Sequence, residues 1–173
     1  MSFIARLFGQ KVDDRAAVRP LWHQIVEIAR EKPWYAELGV ADTVPGRFDA
    51  VTMVLALVTL RMEREDDLKI LSARLTELFV DDMDGQLRQS GVGDLVVGKR
   101  MGKLMSVLGG RMGAFREALA ASDPKSALIP VLERNVTLLD GADKPALAAA
   151  VLSLAHQIDA TPSEDLLAGR IPR

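Results

Sequence analysis

Three aspartates within four positions, Asp81, Asp82 and Asp84, are a group of potential metal ligands on one expected helix. Carboxylates on one helix hold magnesium when a second acidic motif faces them. Position 85 is Gly85, so no DDxxD pattern forms, and no second acidic motif completes a clamp. The plainer reading is an ion pair of Asp84 with Arg88 at i,i+4 spacing on a solvated face. A magnesium-dependent helical enzyme using Asp81–Asp84 is therefore the weakest of the functional readings. The two histidines, His23 and His156, lie far apart with no carboxylate or second histidine at ligand spacing. No G-x-S-x-G, P-loop or G-x-G-x-x-G motif occurs, and Gly91-Val92-Gly93 lacks the preceding strand of a dinucleotide site. Nothing in the sequence argues for catalysis, a resident metal or a cofactor.

Charge patterning carries more. From Glu63 to Asp94 there are nine acids against four bases; from Lys99 to Arg116 there are five bases and no acid. One reading is an antiparallel helical hairpin whose charged faces attract, for instance Asp84 near Lys103, with exposed pairs worth at most about 1 kcal/mol each. The other is a basic stripe of Arg100, Lys103 and Arg111 offered to RNA, anionic lipid or an acidic partner. Both stand on sequence alone. The same segment has small residues at Gly98, Gly102, Ser106, Gly110, Ala114 and Ala118, beside an apolar stripe that includes Met101, Leu104, Leu108, Met112 and Phe115. Glycine inside a helix costs about 1 kcal/mol relative to alanine, so close approach of another backbone is the expected compensation. Alternatively, the smooth or Met-rich face accepts an apolar helix of a client.

The elements that must position these residues are helical. At 173 residues the chain has the length of one domain, and with 49% hydrophobic and 27% charged residues it lies in the globular range. A net charge of −2 argues against a general nucleic-acid binder, DNA included, whose footprint would be clearly basic. The absence of cysteine excludes thiol chemistry, Cys-based zinc sites and a disulfide scaffold, and suits a cytoplasmic setting. The longest uncharged run, Pro145 to Ile158, is too short to cross a bilayer. Periodicity throughout is helical rather than alternating, which predicts an all-α fold: one compact domain of about six to eight helices and no sheet. Ala50–Leu60, apolar on nearly every face, is expected to be the buried central helix.

Boundaries follow from punctuation. Helices are expected over about 14–31, closed by Pro33; from near Arg47; over 63–89, closed by Ser90-Gly91; from Asp94 or Leu95 to Ala121; over 124–139; and over 145–159. Thr161-Pro162-Ser163-Glu164 reads as a capping box opening a last short helix. The expected division is an amphipathic arm over 1–12 and a helical domain over 13–173. On the arm, Phe3, Ile4, Leu7 and Phe8 share one side and would rest reversibly on a membrane surface. The arm lacks the long apolar core and cleavage site of a secretory signal.

Several ordered blocks carry a family resemblance: Trp34-Tyr35, Leu38 to Thr43, Gly46-Arg47-Phe48-Asp49, Asp82-Met83-Asp84, Leu87-Arg88, Gly91 to Leu95, Val97 to Met101 and Gly110-Arg111. Together, over about 21–120, they resemble the ubiquinol-cytochrome c chaperone family, in the form of a short bacterial member without a mitochondrial presequence. The resemblance implies a non-catalytic assembly factor for ubiquinol-cytochrome c reductase, respiratory complex III, acting on newly synthesised cytochrome b. It also implies a small partner subunit, contact with the ribosome or an anionic membrane surface, and a cytoplasmic location, peripheral on the inner membrane. The polar family-block residues Asp42, Arg47, Asp84, Arg88, Asp94, Lys99, Arg100 and Arg111, with Phe48 and Lys103 beside them, are the candidate client- and partner-binding residues. Asp94 is also a candidate N-cap, and Phe115 stands where the resemblance implies tyrosine. A peripheral lipid- or quinone-binding helical module is the alternative from another class, and it requires an apolar cavity lined by the central helix.

Overall fold

The computed structural model describes residues 14–89 and 94–173. Helices succeed one another throughout: α1 (Asp14–Ala29), α2 (Lys32–Ala36), α3 (Val44–Met62), α4 (Lys69–Gln89), α5 (Asp94–Leu119), α6 (Pro124–Asn135), α7 (Lys144–Ala160) and α8 (Ser163–Leu167). The amino-terminal arm and the Ser90-Gly91 helix stop lie outside the described residues. Among those described no sheet forms; an isolated antiparallel bridge joins Val40 to Leu138.

Prolines open several of these helices, and Pro20 and Pro130 stand inside α1 and α6 without ending them. Thr43, Asp123 and Asp143 each cap a helix by accepting from the backbone N–H of Gly46, Ser126 and Ala146, and each is followed by proline in the first turn. That position donates nothing to the helix ladder, so proline's missing N–H costs nothing there. The Thr43 cap starts α3 at Val44, three residues before the expected Arg47. Within α3, Ala50 and every residue from Thr52 to Thr59 are buried. The helices α1, α4, α5 and α7 pack around it, so the uncharged run is the centre of the fold as expected. Buried side chains from all eight helices join one apolar cluster, each large one contributing about 1.5–3 kcal/mol.

Three further expectations at helix ends are corrected. The helix over 63–89 is interrupted: Glu65 is extended (φ −115°, ψ 122°), a 3-10 turn covers Asp66–Leu68, and α4 begins only at Lys69. Four acids crowd this stretch, Glu63, Glu65, Asp66 and Asp67, and continuous helix would stack them at i,i+3 and i,i+4. Next, α6 ends at Asn135 instead of Leu139, because residues 137–139 run beside 39–41, with Ala41 N–H donating to Thr137 O and Leu139 N–H to Gly39 O. Finally, Thr161 caps nothing: its hydroxyl donates back to the Gln157 carbonyl at 2.7 Å, and Pro162 occupies the N-cap position.

Packing also corrects the charge argument. The acidic face of α4 is tied to α1, not to α5: Arg15 reaches Glu77 at 3.0 Å and Asp81 at 2.6 Å, and Trp22 Nε1 donates to Asp82 at 2.7 Å. The expected Asp84–Lys103 attraction does not form, since Asp84 pairs with Arg88 at 2.7 Å and Lys103 has no ion pair among the described residues. On α5, Leu108 and Phe115 enter the core, whereas a Cβ added at Gly102, Gly109, Gly110 or Gly113 would meet nothing within 4 Å. No backbone approaches those glycines, so the small-residue stripe of α5 is open at Gly102 and Gly110, while its later members Ala114 and Ala118 pack into the core.

Candidate functional site

The junction between α1 and α3 is folded back on itself by hydrogen bonds to carbonyls at the end of α1. Trp34 Nε1 donates to Ile28 O at 2.8 Å and the Tyr35 hydroxyl donates to Ala29 O at 2.6 Å, which pins α2 across the end of α1. Burial pushes the Tyr35 phenol above its ordinary value, so it stays a donor. The loop that follows needs two glycines. Gly39 has φ +78°, and Gly46 lies so close to the loop that a Cβ there would stand 1.9 Å from Ala41 O. Arg47 closes the loop by donating to Asp42 at 2.6 Å, a hydrogen bond that holds the Asp42 carboxyl below the usual carboxylate range.

This loop forms one lip of an open groove of about 1140 Å³. Phe48 and Val51 from α3, Met83 from α4 and Leu104 from α5 supply its apolar floor. Val44, 84% exposed, stands at the mouth. Arg30 and Lys32, at the α1–α2 junction, and the Asp42–Arg47 pair form the polar rim. An apolar floor with a charged lip suits an amphipathic or apolar helix.

Beneath the floor lies a polar network that fixes α3 against α5. Asp49, the acid next to Phe48, accepts from Arg111 Nη2 at 2.6 Å through one oxygen. Its other oxygen accepts from the Thr137 backbone N–H at 2.9 Å and from its hydroxyl at 2.6 Å. Arg111 also donates to the Thr52 hydroxyl, and its guanidinium sits 5.8 Å from the centre of the Phe48 ring. A second ring, Phe79, lies 6.2 Å from Phe48, so the aromatic ring of the groove floor is held from two sides.

The sequence candidates therefore separate. Asp42, Arg47 and Phe48 come together at the groove, with Met83 and Leu104. Asp84 and Arg88 form the expected pair along α4. Lys99, Arg100 and Lys103 are exposed on α5 and make no ion pair among the described residues. Arg111 does not share that face: its side chain is only 12% exposed and is turned inward to Asp49, which corrects the expected stripe. Asp94 begins α5, but its side chain, like Phe3, Ile4, Leu7 and Phe8, lies outside what is described. Asp49 was the legible omission, a single acid beside an uncharged run; Arg30, Lys32 and Thr137 carried no signal.

The aspartates of α4 do not converge on a metal. Asp81, Asp82 and Asp84 turn to Arg15, Trp22 and Arg88 respectively, and no group of three or more metal-ligating side chains occurs among the described residues. No described helix is long and apolar enough to cross a membrane.

Comparison with known proteins places the chain as a whole. The chain is similar to the crystal structure of the Cbp3 homolog from Brucella abortus, with a TM-score of 0.80 and 35% identity over 97% of this chain and 94% of that one. No curated protein matches it. Residues 36–173 match the family described as ubiquinol-cytochrome C chaperone, from the last residue of α2 through α8 and so past the carboxy-terminal end of the 21–120 blocks that carry the sequence resemblance. With four fifths of its length inside that match and a homologous structure superimposing on nearly all of it, the chain belongs to the ubiquinol-cytochrome c chaperone family.

Proposed function

We propose that this protein is a non-catalytic assembly chaperone for ubiquinol-cytochrome c reductase that holds newly synthesised cytochrome b by laying an apolar segment of it in the groove between α2, α3, α4 and α5. The observation that carries this reading is the presence of Asp42, Arg47 and Phe48, all from the family blocks, in the lining of one open groove with an apolar floor. An α-helix with its side chains is about 10–12 Å across, and its apolar face would cover Phe48, Val51, Met83 and Leu104 until the client folds. On this reading the protein works at the cytoplasmic side of the inner membrane. The exposed bases Lys99, Arg100 and Lys103 are then available to a partner subunit, the ribosome or an anionic surface.

The test is affinity purification of the tagged protein from its own host after mild solubilisation, with the co-purifying proteins identified. Cytochrome b enriched over other membrane proteins, and depleted from the membrane when the gene is deleted, supports the proposal. Normal complex III without the gene refutes it. A second reading draws on the same groove, because its floor includes Phe48 and Val51 of the central helix: a lipid- or quinone-binding module. Liposome affinity that salt abolishes, with no cytochrome b recovered, is the result that favours it.

A further inference from the structure

We infer that Arg30 and Lys32 select what the groove accepts: an apolar helical segment flanked by acidic side chains, in preference to one flanked by lysine or arginine. The inference rests on the groove reading above. Both side chains line the groove, both residues are exposed, and neither makes an ion pair among the described residues. The acid at this rim, Asp42, is already taken up by Arg47 at 2.6 Å. Two uncompensated positive charges thus stand together at one end of an apolar floor.

Apolar side chains filling the floor would expel water and lower the local dielectric, so the sign of flanking charges would matter more than on an open surface. Membrane helices commonly carry lysine and arginine at their cytoplasmic ends. A rim of cations opposes that ordinary flank and admits an acidic one, which makes the groove selective among apolar segments rather than a general holder of them.

The test uses the full chain and three synthetic helical peptides sharing one apolar stripe, flanked by Glu, Gln or Lys, with binding followed by fluorescence anisotropy. The expected order is Glu, then Gln, then Lys, with about a tenfold spread at low salt that collapses near 0.5 M NaCl. The double substitution R30E/K32E, at exposed positions, is expected to reverse the order. Equal binding of the three peptides, abolished by L104E, overturns the selection while leaving the groove reading in place. No binding of any peptide overturns the groove reading itself. Loss of phosphatidylglycerol-vesicle binding in R30E/K32E with the peptide order unchanged assigns the two cations to lipid and also overturns the inference.

Discussion

Arg111 Nη2 stands 2.6 Å from Asp49 Oδ1, a contact between residues 62 positions apart that joins α5 to α3 beneath the groove. Both side chains are nearly buried, at 12% and 9% exposed. Because Asp49 also holds Thr137, one carboxylate ties together the central helix, the long basic helix and the segment after α6. Phe48 neighbours Asp49 on α3, and Leu104 precedes Arg111 by two turns on α5. The pair therefore sets the separation of two groove walls.

Breaking this pair from one side leaves the other charge buried without its partner. Asp49→Asn and Arg111→Met are each expected to destabilise the fold by about 3 kcal/mol, measured by urea unfolding. Their double mutant is expected to lose at least about 1 kcal/mol less than the sum. Strict additivity would show that the contact does not couple the helices.

Two glycine substitutions should move stability in opposite directions. At Gly46 an added Cβ would meet Ala41 O at 1.9 Å, so Gly46→Ala is expected to cost about 2 kcal/mol or more and to displace the Asp42–Arg47 lip. At Gly110 an added Cβ meets nothing within 4 Å, so Gly110→Ala is expected to stabilise by about 0.5–1 kcal/mol. Thermal denaturation of the two variants beside the parent decides both.

Acid sensitivity has a specific source at Glu65. Hydrogen bonding from Ser163, then from Arg61, holds its carboxyl below the ordinary value of 4.5. A depressed folded value means that the ionised form contributes stability above that ordinary value. The contribution is lost as pH falls through the folded value. Glu65→Gln should therefore be less stable than the parent near neutral pH, with the difference shrinking on acidification below about pH 4.5. A difference that stays constant with pH would remove Glu65 from the acid response.

Charge reversal on the exposed face of α5 separates folding from engagement. Arg100→Glu with Lys103→Glu is expected to change stability by no more than about 0.5 kcal/mol, because neither residue makes an ion pair among those described. The level of assembled complex III in cells carrying the variant should fall. Unchanged assembly would count against a role for this face.

The fold was legible where a local rule had no competitor. The uncharged run of α3 had to be interior, and Asp123 before Pro124 had to open a helix, whereas the caps at Thr43 and Asp143, each one residue removed from its proline, start α3 and α7 before the expected Arg47 and Pro145. The sequence misled where the deciding partner is remote. Nothing near Glu65 announces Ser163, nothing near Leu139 announces Gly39, and the acids of α4 gave no sign that Arg15 and Trp22 would claim them. Of the groove, the lip was readable in the blocks around Asp42 and Phe48, but Arg30 and Lys32 join it only because α2 folds back over the end of α1.

The central claim, that the groove itself holds cytochrome b, is tested most directly by placing a photo-crosslinking amino acid at Val51 or Leu104 and irradiating cells during synthesis of cytochrome b. The account predicts a cytochrome b adduct from both groove positions and none from exposed Lys125 on α6. Adducts of equal yield at Lys125, or none at Val51 and Leu104 while cytochrome b still co-purifies, would contradict it.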